Sequence, residues 1–142
     1  MLLIDKTSSK PIYEQIIDGV EKNILLGVYP PGSVLPSMRE LSVTLGINPN
    51  TIQKSYGELI RRGIIIPAHG SGSYVAADAV DRIRAAATAR LEQLSETVAE
   101  LCLARVPRED VIAAVHAVYD RQSPLPDAPP PTTITTKGGK PL

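Results

Sequence analysis

In the stretch INPNTIQK, residues 47–54, three amides, a hydroxyl and an ammonium crowd the start of a helix. Amides and hydroxyls of this kind hydrogen-bond base edges and phosphate oxygens, and a lysine there neutralises phosphate. The same stretch has a purely local use, with Asn48 as N-cap and Pro49 at the first helical position. Capping leaves Asn50, Thr51, Gln53 and Lys54 over, away from the apolar stripe Ile52, Tyr56, Leu59 and Ile60. Upstream, in PSMRE, Ser37 and Glu40 have the spacing of a capping box, and Arg39 lies between them. Arg39 can pair with Glu40 or another acid, or it can reach phosphate or a base. Downstream, AHGSGS brings His69, Gly70 and Gly72 into one tight turn. A dinucleotide fingerprint needs a third glycine and a helix after it, whereas Tyr74 and Val75 follow here. A hairpin tip with little side-chain bulk suits close approach to a minor groove instead.

Other chemistries find little support. His69, His116 and Cys102 are scattered and lack metal-ligand spacing, so no metal and no cofactor are implied. Cys102 reads as a small buried hydrophobe. No Ser/His/Asp or paired-carboxylate arrangement stands out, and an enzyme is not expected. A single cysteine cannot form an internal disulfide. The N-terminus lacks a basic segment followed by an apolar one, and no apolar run approaches the roughly 18 residues that span a bilayer. A cytoplasmic protein with no membrane association is expected.

The elements that must position these residues follow from periodicity. With no Phe or Trp, the core has to be built from Ile, Val, Leu and Ala. Ile12, Ile16, Val20 and Ile24 form one face of a first helix, with Ser9 as its N-cap, Pro11 just inside it and Gly27 at its end. YPPGSVLP is a turn with a short extended piece. Two short helices joined through Gly46 make a helix-turn-helix, the second closing at Gly63. IIIPAHGSGSYVA is a small hairpin with Pro67 at a strand end. From Asp78 a long helix is expected, with Ile83, Ala87, Leu91, Leu94, Val98 and Leu101 spaced 4, 4, 3, 4 and 3. That spacing is close to a coiled-coil seam. Pro107 opens a last helix, where Val111, Val115 and Val118 share a face. The fold class is mainly α with a small β-hairpin wing. A winged helix-turn-helix over residues 1–77 precedes a two-helix dimerisation segment over 78–122 and an expected disordered tail over 123–142.

Charge alone does not point to a polyanionic partner. The formal net charge is zero. Within residues 1–77 seven basic side chains face six acidic ones, although Arg39, Lys54, Arg61 and Arg62 gather in the helix-turn-helix.

The order PxYEQI, PPG, LPSxREL and HGxGxYV over residues 10–77 resembles the winged-helix domain of the GntR family of bacterial transcription regulators. NPNTIQKSY looks most like the YtrA-type branch, whose short helical segment serves dimerisation. The resemblance implies DNA contacts from Ser37 and Arg39, from Asn48, Asn50, Thr51, Gln53 and Lys54, and from the wing residues His69, Gly70 and Gly72. It also implies a homodimer on a double-stranded DNA operator, with Ile83, Ala87, Leu91, Leu94, Val98, Leu101, Val111, Val115 and Val118 at the dimer contact. Pro49 and Gln53 stand where many members carry arginine. The expected function is sequence-specific repression at a pseudo-palindromic operator, in which Arg39, Lys54 and the backbone at the helix start position the protein. A small-molecule effector is compatible with this. The alternative is a winged-helix protein-interaction adaptor without high-affinity DNA binding, for which the zero net charge is the clue.

Overall fold

The computed structural model describes residues 2–69 and 72–122. Gly70 and the tail 123–142, for which a contact and disorder were expected, lie outside the described residues. The described residues divide into two compact units between Ala99 and Glu100, a boundary that falls within a helix.

In the first unit, α1 (Ile12–Leu25) buries Ile16, Ile17, Val20 and Ile24. Its start differs from expectation. Pro11, not Ser9, is the N-cap, and no side chain caps the backbone. Gln15 organises the entry instead, donating from Nε2 to the carbonyls of Asp5 and Lys10 at 2.9 Å each and accepting from the Asp5 N–H at 2.8 Å. The PPG turn follows, with Gly32 at φ +81° and a Ser33 N–H to Pro30 bond of 3.0 Å. A positive φ at the third position of a turn favours glycine.

Ser37 caps α2 (Met38–Leu45) through a complete capping box with Glu40. Gly46, left-handed at φ 63°, stops it. The Ser42 hydroxyl then donates to the Ile47 carbonyl at 2.7 Å, which pins the turn while the Ile47 side chain enters the core. Asn48 caps α3 (Pro49–Arg61), which buries Ile52, Ser55, Tyr56 and Leu59. Ile60 sits at the rim, 38% exposed, outside the stripe assigned to it.

Strands β1 (Ile65–Pro67) and β2 (Ser73–Val75) pair antiparallel, with Ile66 opposite Tyr74. The extended piece before α2 joins them as a third rung through a Val34–Tyr74 bridge. Leu35 N–H reaches the Ser73 carbonyl at 2.8 Å, and Val75 N–H reaches the Ser33 carbonyl at 2.9 Å.

The expected long helix is two helices, α4 (Ala79–Ala89) and α5 (Leu91–Leu103). The Thr88 hydroxyl bonds back to the Arg84 carbonyl at 2.8 Å, and the Arg90 N–H turns to the Ala87 carbonyl. Such back-bonding often bends a helix, although Ser95 and Thr97 make the same bond inside α5 without interrupting it. Ala79 and Ile83 of α4 lie in the winged-helix core. Ile83 is 6% exposed, so it belongs to this chain's own packing and drops out of the proposed dimer seam. Cys102 is exposed on α5, contrary to expectation, because no described residue covers that face. The second unit contains α6 (Arg108–Arg121), which has no fully buried residue.

Candidate nucleic-acid interface

At the start of α3 the backbone is closed. Pro49 has no N–H, the Asn50 N–H is bonded to Asn48 Oδ1 at 2.9 Å, and those of Thr51 and Ile52 go to the Asn48 carbonyl at 3.0 and 3.3 Å. From Pro49 to Ile52 the main chain therefore has no free donor for phosphate, and beyond the Asn48 N–H the positioning role expected of it falls to side chains. Asn50 and Gln53 are exposed, and among the described residues their amides have no partner. Thr51 is half-buried, with its carbonyl receiving the Ser55 hydroxyl at 3.0 Å.

Lys54 is exposed and has an aromatic partner. Its Nζ lies 3.7 Å from the centroid of the Tyr13 ring on α1. An ammonium over the negative face of an aromatic ring is attracted to it without losing its charge. The Tyr13 carbonyl also accepts from the Ser55 hydroxyl at 3.0 Å. One residue of α1 thus docks α3 and orients its cation. Pattern reading had no means of finding Tyr13, because the contact joins positions in different helices.

The two arginines at the other end of α3 are engaged. Arg61 pairs with Glu58, while Arg62 bonds Glu58 at 3.0 Å and Glu21 at 3.2 Å. Hydrogen bonds from Arg61 and Arg62 hold the Glu58 carboxyl down at about 2. The basic footprint is correspondingly narrower than charge counting suggests. Arg39 is the counterexample: Glu40 is occupied by its bond from the Ser37 N–H at 3.1 Å, and Arg39 is exposed with no carboxylate partner among the described residues. Ser37 is half-buried and its oxygen accepts from the Glu40 N–H at 3.1 Å, while its hydroxyl proton is still there to give.

Three contact regions meet on one short segment. The Leu35 N–H bonds β2, the Pro36 carbonyl accepts from the buried Tyr56 hydroxyl of α3 at 2.6 Å, and Ser37 caps α2. In the wing, His69 is exposed and Gly72 has φ +89°.

Residues 12–75 match the family described as bacterial regulatory proteins, gntR family. Over 110 residues the chain is 41% identical to the HTH-type transcriptional repressor YtrA of Bacillus subtilis (strain 168), covering 77% of this chain and 85% of that protein. The chain belongs to the GntR family. A GntR family transcriptional regulator from Listeria monocytogenes superposes with a TM-score of 0.63 at 36% identity, covering 80% of this chain and 98% of that one. YtrA from Sulfolobus acidocaldarius, described as a GntR-family transcription factor, gives a TM-score of 0.51 at 25% identity, with coverages of 83% and 96%. These matches extend past the winged helix, in keeping with a YtrA-type GntR protein. As a GntR regulator it acts on transcription through DNA binding and is not an enzyme. No helix among the described residues is long and apolar enough to cross a membrane.

Proposed function

We propose that this GntR protein is a cytoplasmic repressor that binds a pseudo-palindromic operator as a homodimer. The observation that carries the reading is the free amides of Asn50 and Gln53 and the intact charge of Lys54 at the start of α3, with Arg39 lacking a carboxylate partner among the described residues at the start of α2. In a helix-turn-helix that end of the second helix enters the major groove. Asn48, Asn50, Thr51 and Gln53 read bases, Arg39, Ser37 and Lys54 hold the backbone, and His69 with Gly72 approaches the minor groove. Repression is carried over from the name of the Bacillus subtilis relative.

Residues 1–77 form the DNA-binding domain, completed by the first turns of α4, and the remainder to residue 122 is the dimerisation segment. The dimer is supported by apolar side chains left outside. On α5, Leu91, Leu94 and Val98 are 59%, 49% and 37% exposed, and on α6, Val115 and Val118 are 43% and 46% exposed. Ala87, Leu101 and Val111 complete the proposed contact. An effector that shifts operator affinity is compatible with this arrangement.

Selection of bound fragments from genomic DNA, followed by titration of the selected duplex over a range of salt, tests the function. Expected is a linear fall of log K with log salt, about 0.9 per phosphate neutralised, and an operator-specific remainder. Half-sites should lie about 10 base pairs apart or at a multiple of that. Absence of binding at low salt refutes the reading. The dimer is checked separately by sedimentation, where Leu94→Asp with Val98→Asp should yield a folded monomer.

A further inference from the structure

Asn48 is the one residue of the α3 entry whose hydrogen-bonding groups divide cleanly between inside and outside. All its acceptors face inward: Oδ1 takes the Asn50 N–H at 2.9 Å, and the main-chain carbonyl takes the N–H groups of Thr51 and Ile52. Its donors have no such use. Among the described residues neither its backbone N–H nor its side-chain NH2 has an acceptor, and the residue is exposed. Asn50 and Gln53 differ from it, since their amides keep both functions free. An asparagine that reads adenine presents its carbonyl and its NH2 together to the N6/N7 edge. With its oxygen directed at the Asn50 N–H, Asn48 turns its NH2 alone outward as long as it caps α3.

We infer that Asn48 is a donor-only DNA contact that hydrogen-bonds an acceptor on the duplex: purine N7, guanine O6, thymine O4 or a phosphate oxygen. The paired donor and acceptor edge of adenine is left to Asn50 and Gln53. Cytosine, which presents the N4 donor in the major groove, is disfavoured opposite Asn48. The inference rests on α3 entering the groove as proposed above.

The test uses the full chain and a duplex that the wild-type protein selects from a randomised pool. Asn48→Asp keeps the acceptor for the Asn50 N–H and suits the helix dipole, so its thermal midpoint should equal or exceed wild type. It has lost the amide donor. Asn48→Gly also makes a tolerated cap and removes the amide without adding charge. Both variants should bind the selected duplex about tenfold more weakly while remaining folded. Single-base-pair variants of the duplex then separate the two acceptor sources. Loss of discrimination at one symmetric base pair supports a base acceptor, and a uniform loss that extends to unselected DNA supports phosphate. Wild-type binding by Asn48→Gly overturns the inference whatever Asn48→Asp does, because added charge would then explain any loss. A wild-type protein that selects no duplex overturns the operator reading and this inference with it.

Discussion

The two ends of α3 carry side chains of similar polarity in opposite situations. At its start Asn50 and Gln53 have free amides, and Lys54 rests on an aromatic face that leaves its charge intact. At its end Arg61 and Arg62 are neutralised by Glu58 and Glu21. The end richer in positive charge is thus the less able to attract a polyanion. Availability, not composition, decides which part of a helix can bind DNA, and a zero net charge is no obstacle when the free groups gather at one tip.

The most severe way to break the contrast is to remove what both ends stand on. Leu59 is fully buried, and Leu59→Ala should destabilise the protein by about 2–5 kcal/mol, read as a lowered denaturation midpoint with loss of all DNA binding. Asn50→Ala and Gln53→Ala should spare the melting curve but each remove about 1–3 kcal/mol of discrimination at a particular base pair, seen in competition between operator variants. Lys54→Ala should weaken every sequence alike and lower the salt slope by about one. Tyr13→Leu should weaken binding less than that, and should do nothing further once Lys54 is gone.

The smallest effect belongs to the tied end. Glu58→Gln frees Arg61 and leaves Arg62 with Glu21 alone, so affinity for unselected DNA should rise modestly and its salt dependence steepen. The same pair has a pH signature. Because the folded-state carboxyl is depressed from 4.5 to about 2, its stabilisation is present above the ordinary value and is lost as pH falls through that window. Acid unfolding followed in wild type and in Glu58→Gln should converge there.

Much of the winged helix was legible because its signals are short-range. Ser37 with Glu40, Asn48 with Pro49, and Gly46 each declare a helix end within four residues, and the glycine-rich wing declares its hairpin. What escaped depends on partners distant in sequence. Gln15, not Ser9, organises the entry to α1 because it reaches back to Asp5. Ile83 has coiled-coil spacing, yet it packs into the core that precedes it. The neutralisation of Arg62 by Glu21 and the seat of Lys54 on Tyr13 join α3 to α1 across some forty residues, where no periodicity can announce them.

Leu35, Pro36 and Ser37 connect the base of the wing, α3 and α2 within three consecutive residues. These bonds tie the base of the wing to the helix pair before any duplex arrives. A reader tied in that way leaves the bending and groove adjustment to the DNA. Operators that differ only at base pairs the protein never touches should then be ranked by how easily they deform.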